Sequence, residues 1–177
     1  YGNTEGEYGS IVVLEGDNCS KYMAGIVGVT MGKKNGDVAP YVDLGTNIKA
    51  DLSSCTQISY DYKGAAHRFI VTMMGDDDGK MTGYNNHRKA VPVSYTWTTE
   101  TVQWTELVQE PYWGTTAALD KTIINAFRWE ISGEGIVTPN YLYVDNVRCV
   151  GYEKQTASSS SVESSSSSNV VSSSSEV

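Results

Sequence analysis

Short runs in which apolar and polar residues alternate, separated by turn residues, recur from Gly9 to Val150. A two-residue period is that of a β-strand with one covered face. Strands are predicted at residues 9–14, 22–31, 41–44, 57–62, 67–74, 89–95, 101–106, 123–131 and 141–150. No long amphipathic helix stands out. Many short strands with short connections, in a domain of this size, fold into an all-β antiparallel β-sandwich. Within residues 123–131, alternation turns Phe127, Trp129 and Ile131 to the core and Ala126, Arg128 and Glu130 to the opposite face. The last run, 141–150, is apolar on both parities and reads as a central strand covered on both faces.

Residues 1–155 suit one domain with one core. Residues 156–177 differ in kind: thirteen of the last twenty are Ser, with no apolar period. Such a segment buries too little apolar surface to offset its ordering entropy. It reads as a flexible Ser-rich linker, which implies a further domain of the same chain. Residue 1 opens without a basic and then apolar signal region, so an exported form is expected to have lost its signal. The net charge of -8 comes without a basic stripe and argues against nucleic acid as a partner. No apolar run is long enough to cross a bilayer as a helix, so no membrane partner is expected. A monomer is expected.

Cys19, Cys55 and Cys149 are too widely separated for a local zinc pattern, and three cysteines allow at most one internal bridge. Cys55 and Cys149 stand beside apolar strand runs and Cys19 in a polar loop; a bridge and buried free thiols both stay open. The segment Gly75-Asp76-Asp77-Asp78-Gly79-Lys80 lacks the twelve-residue calcium-loop spacing with its terminal Glu and is expected to be a solvated hairpin tip.

His67 and His87, the two histidines, form no zinc-binding pair, and no Gly-x-Ser-x-Gly elbow is present. Acyl-transfer hydrolysis has no visible machinery. A glycosidase needs two carboxylates facing each other across a sugar; Glu106, Glu110, Glu130 and Glu134 are the candidates. Glu130 beside Arg128 fits a salt bridge on the sheet face, or a contact to a sugar hydroxyl, better than acid–base work.

Binding has better support. Twelve Tyr and four Trp far outnumber two Phe. These rings join a flat apolar face to a hydrogen-bonding edge, which suits a partly wet surface. A pyranose presents an apolar C–H face and a hydroxyl rim, so ring stacking combined with planar polar groups recognises it. Tyr22, Tyr84, Tyr112 and Trp113 lie beside loop or strand-edge residues.

The stretch Gln57-Ile58-Ser59-Tyr60-Asp61-Tyr62-Lys63-Gly64, then His67-Arg68-Phe69-Ile70-Val71, then Thr101-Val102-Gln103-Trp104-Thr105-Glu106-Leu107 resembles the middle of family 11 carbohydrate-binding modules. Those modules carry an I-S-F-D-I strand, an R-F strand and a W-K-T-x-x-I-P-F strand. The likeness continues through Leu119-Asp120 and Ile124-Asn125-Ala126-Phe127-Arg128-Trp129. It ends in Tyr143-Val144-Asp145-Asn146-Val147-Arg148-Cys149-Val150-Gly151, close to the family's V-D-N-I-K-x-x-G. Modules of families 4 and 30 share parts of it.

The resemblance covers most of Tyr8 to Gly151. It implies a jelly roll with a concave face that binds single chains of β-1,4-glucan or mixed-linked β-1,3-1,4-glucan. It also implies attachment to a secreted glycoside hydrolase, often an endoglucanase, acting outside the cell or at its surface. On this alignment Tyr22 matches a cleft Tyr, and Asn125 and Arg128 fall at polar cleft positions. Glu110-Pro111-Tyr112-Trp113 falls at a loop that supplies an Arg, an Asp and a Tyr to sugar; Tyr112 or Trp113 stands in for the ring and Glu110 for the carboxylate. Ile131 falls where the family has another cleft Tyr, so the stacking platform is expected to be rearranged. The family's structural calcium uses a D-F-E-G motif and the Asp of V-D-N-I; Glu15 and Asp145 match two of those positions, while Val13 replaces the Asp.

The expected carbohydrate-contacting set is therefore Tyr22, Tyr84, Glu110, Tyr112, Trp113, Asn125, Arg128 and Glu130, with Glu15 and Asp145 for calcium and no catalytic residue. The alternatives are a small jelly-roll glycosidase using two of Glu106, Glu110 and Glu130, and a surface adhesin module.

Overall fold

The computed structural model describes residues 8–15, 22–32, 39–133 and 137–151; for 8–15, 22, 23 and 77 only the backbone is described. Cys19, Glu134, the Ser-rich tail and the side chains of Glu15 and Tyr22 lie outside the described residues.

The described residues form nine strands: β1 (Tyr8–Glu15), β2 (Tyr22–Thr30), β3 (Tyr41–Ala50), β4 (Gln57–Gly64), β5 (His67–Met73), β6 (His87–Val91), β7 (Ser94–Gln103), β8 (Ile124–Ser132) and β9 (Tyr141–Val150). They build a five-stranded sheet in the order β1-β2-β9-β4-β7 and a four-stranded sheet in the order β3-β8-β5-β6. All strand pairs in both sheets are antiparallel. Apart from the hairpins β1–β2 and β5–β6, each connection passes from one sheet to the other, which makes the sandwich a jelly roll.

Three boundaries differ from the reading by alternation. The run 89–95 is two strands: β6 ends at Val91 and β7 begins at Ser94, in the other sheet. Pro92 has no N–H to continue a ladder, and its carbonyl accepts instead from the Tyr62 hydroxyl at 3.0 Å. Residues 104–106 form a 3-10 turn, closed by Glu106 accepting from the Gln103 N–H at 2.8 Å. β3 runs on past Gly45 to Ala50, because Gly45 pairs with Arg128 in β8 and the Arg128 stem lies over the bare backbone there.

The core is aromatic at its centre. Tyr60, Phe69 and Trp129 are fully buried, with ring centroids 5.3 Å (Tyr60–Phe69), 5.5 Å (Tyr60–Trp129) and 5.6 Å (Phe69–Trp129) apart. Phe127 and Ile131 join them from β8. Alternation thus assigns the inner face of β8 correctly, and it places Ile131, aligned with a cleft Tyr, in the core. β9 is central in its sheet: Leu142 and Val144 are buried, while Tyr141 and Tyr143 on the outer face are half-buried. Its alternation breaks at Asn146, which has a φ of 48°.

Cys55 and Cys149 form a disulfide that closes a separation of 94 residues, with Cα atoms 5.5 Å apart. The Gly75–Lys80 loop is more than a solvated tip. The Asp76 carboxylate turns back to accept from Met81 N–H at 2.7 Å, Thr82 N–H at 3.0 Å and the Thr82 hydroxyl. Burial opposes that charge, but the donated hydrogen bonds outweigh it and hold the carboxyl below its ordinary value.

Candidate functional site

The outer face of the four-stranded sheet is set by parity. Where Phe127 and Trp129 face the core, Ala126, Arg128 and Glu130 face outward, and the register lines up their neighbours. One row reads Asp43, Glu130, Arg68 and Ala90 across β3, β8, β5 and β6; the next reads Gly45, Arg128, Ile70 and Arg88.

One ion pair crosses between these rows and one lies within the first. Arg128 donates to Asp43 at 2.8 Å, and Arg68 donates to Glu130. The acids lie beneath and the bases on top: the Asp43 and Glu130 side chains are 5% and 13% exposed, against 44% for Arg128 and 31% for Arg68. Burial pushes the Glu130 carboxyl above its ordinary value, opposed by the Arg68 and Arg88 charges. A guanidinium carries five N–H donors in a plane. Held on a buried carboxylate, it meets a ligand already oriented.

At the β6 edge, Arg88 exchanges backbone hydrogen bonds with Val108, at 2.9 and 3.0 Å, which ties residues 108–117 beside the sheet. From that segment Glu110 comes within 3.8 Å of the Arg88 guanidinium, which also lies over the Trp113 ring, 5.5 Å from its centroid. Trp113 is 51% exposed, so one ring surface remains open to solvent. Its neighbour Tyr112 is 99% exposed.

The structure therefore brings Arg128, Glu130, Glu110 and Trp113 to one side of the sheet. Tyr112 sits on the same loop. Tyr84 is exposed in the β5–β6 connection, its ring packed against Gly79. Asn125 falls in the register irregularity between the Ala126 and Ile124 pairs and has no cross-strand partner among the register pairs. For Tyr22 only the β2 backbone is described. Arg128 and Glu130 do not pair with each other; each finds its partner on a flanking strand. The reading by residues missed Asp43, Arg68 and Arg88. Arg68 and Arg88 carried a signal, being charges inside strands on the parity opposite the buried Phe69 and Val71 of β5 and the buried Val91 of β6.

For a paired-carboxylate mechanism, Glu106 is committed elsewhere. Its bond from the Gln103 N–H, with Lys89 at 3.0 Å, holds its carboxyl below the ordinary range.

No family model matches the chain. Over 124 residues, 68% of the chain, it is 27% identical to Endoglucanase 3 of Fibrobacter succinogenes (strain ATCC 19169 / S85), and it spans 18% of that protein's length. The family 11 carbohydrate-binding module of the cellulosomal cellulase Lic26A-Cel5E of Clostridium thermocellum matches with a TM-score of 0.65 at 16% identity, covering 88% of each chain. The family 11 module from Clostridium thermocellum in complex with a β-1,3-1,4-mixed-linked tetrasaccharide matches with a TM-score of 0.63 at 14% identity, covering 83% of this chain and 84% of that one. The chain has the jelly-roll fold of carbohydrate-binding modules. Within that class, its architecture is that of the family 11 modules.

Proposed function

We propose that this chain is a non-catalytic module that binds single β-glucan chains, β-1,4 or mixed-linked β-1,3-1,4, along the outer face of its four-stranded sheet. The carrying observation is that Arg128 and Arg68 lie over buried Asp43 and Glu130 on the sheet face that also carries Arg88, against which the half-exposed ring of Trp113 packs. Donors fixed in advance lose little entropy on binding, and the ring offers an apolar surface to a pyranose. Glu110 accepts from hydroxyls at the loop end, and Tyr84, Tyr112 and Asn125 extend the contacts; Tyr22 opens β2, in the other sheet, and is left out of this face. The family 11 module solved with a mixed-linked tetrasaccharide supports the ligand class.

The likeness to an endoglucanase supports a linked glycoside hydrolase, with residues 156–177 as the tether. The module raises that enzyme's local concentration on plant cell-wall polysaccharide without adding chemistry. The disulfide supports an oxidising, extracellular setting. No helix among the described residues is long and apolar enough to cross a membrane.

A structural calcium on Glu15 and Asp145 belongs to the same reading. Hard carboxylate oxygens suit calcium, and Glu15 and Asp145 lie in the same sheet with β2 between their strands. Among the described residues no three acidic, His or Cys side chains gather for a metal, so the remaining ligands would be backbone carbonyls, water or residues outside that set.

Affinity electrophoresis in gels containing barley β-glucan, xyloglucan, xylan or mannan tests the binding function. Retardation by barley β-glucan is expected; unretarded migration in every gel refutes it.

A further inference from the structure

Asn85 lies outside the sheet face, in the loop between β5 and β6, and its side chain is fully buried. All three of its side-chain hydrogen bonds reach the segment that carries Glu110 and Trp113. Oδ1 accepts from the Glu110 N–H at 2.9 Å. Nδ2 donates to the Glu110 carbonyl at 2.8 Å and to the Trp113 carbonyl. One primary amide has two donors and an acceptor of this kind. Asn85 spends both donors, and an acceptor site, on the two backbone positions that bracket Pro111 and Tyr112.

The surroundings leave that segment little room to move. Thr115 N–H donates to the Thr82 carbonyl at 2.7 Å, and Gln109 Nε2 donates to the Asn85 carbonyl at 2.6 Å. Gly114 has a φ of 64°, and a Cβ there would stand 2.4 Å from the Thr82 oxygen and 2.5 Å from the Asn85 Cβ. Thr82 is itself fully buried and bonded to Asp76.

We infer that Asn85 is a positioning residue for the sugar-binding face: it fixes the loop backbone so that Trp113 stays over Arg88 with Glu110 beside it. This rests on the proposed β-glucan binding. Asn85 touches no sugar, and its effect on affinity passes through Trp113. A buried polar network with every member satisfied makes one loop conformation unique, and a network with one amide removed does not.

The test uses the full chain. Asn85→Asp keeps the acceptor for the Glu110 N–H and loses both donors; Gly114→Ala pries the same contact from the other side and decides the matter if the first variant does not fold. Each is made alone and combined with Trp113→Phe and Trp113→Ala. Affinity is measured by titration with barley β-glucan, and acrylamide quenching of Trp113 by difference from the Trp113→Phe counterpart. Both variants are expected to lower affinity by the same factor as Trp113→Ala, on the order of tenfold, with no further loss in the combination with Trp113→Ala and with greater quenching of Trp113. Additive losses, full affinity in a folded variant, or unchanged quenching of Trp113 overturn the inference. If the unaltered chain binds no glucan, the binding function falls, and quenching alone decides the role of Asn85.

Discussion

The imidazole Nε2 of His67 lies 3.0 Å from the Tyr60 hydroxyl inside the core, and its Nδ1 lies 3.1 Å from the Ala65 carbonyl. With Nδ1–H donating to Ala65, Nε2 accepts the Tyr60 proton, so the ring is neutral and satisfied. Burial pushes the His67 pKa down to about 4, against the smaller upward pull of the Ala65 bond. The unfolded chain takes up a proton near pH 6.5 that the folded chain refuses until about pH 4. The stability linked to His67 is thus complete above pH 6.5 and is lost as pH falls toward 4, by about 3 kcal/mol at one unit per 1.4 kcal/mol. Urea unfolding at pH 7.5 and 4.5 measures it; His67→Gln should flatten the difference, and an equal pH dependence in both proteins would refute the assignment.

Gly64 and Gly133 separate strain from collision. Both have left-handed φ, 136° and 143°, but a Cβ on Gly64 would lie 2.2 Å from the Tyr141 carbonyl oxygen, while nothing lies within 4 Å of one on Gly133. Gly133→Ala should cost about 1 kcal/mol, the strain alone, and Gly64→Ala about 3 kcal/mol or more, strain and overpacking together. Thermal unfolding of the two variants checks the order.

The Cys55–Cys149 bridge closes a loop of 94 residues, so its loss releases much chain entropy on unfolding. Cys55→Ser with Cys149→Ser should lower stability by about 4 kcal/mol. A chain unaffected by both substitutions, measured in urea under non-reducing conditions, would place the bridge elsewhere or nowhere.

Calcium, if held by Glu15 and Asp145, binds the folded chain alone. At a hundredfold excess over its dissociation constant it adds about 2.7 kcal/mol. The thermal midpoint should fall when EDTA replaces calcium in the unaltered chain and stay put in Asp145→Ala. An unaltered chain indifferent to EDTA would remove the site.

Much of this fold can be read from alternation, because the inner faces of the strands bury apolar side chains at every second position; Phe127, Trp129 and Ile131 against Arg128 and Glu130 are the plainest case. Alternation does not show where a strand leaves its sheet. The apolar and polar pattern continues through Pro92 into the next sheet, and only the missing N–H marks the crossing. The site is less legible, because cross-strand pairing decides it. Asp43 looks like one more strand residue until the register sets it one strand away from Arg128. Asn85 is invisible for the same reason: its partners, Glu110 and Trp113, are 25 and 28 residues away.

Backbone chemical-shift mapping during titration with a β-1,3-1,4-mixed-linked tetrasaccharide tests the central claim most directly. Saturable shifts are predicted at Asp43, Arg68, Arg88, Trp113 and Arg128, on one face of the four-stranded sheet, with none at Gly25 and Tyr143 on the opposite sheet. An unchanged spectrum at millimolar sugar, or shifts gathered around Tyr141 and Tyr143, would contradict it.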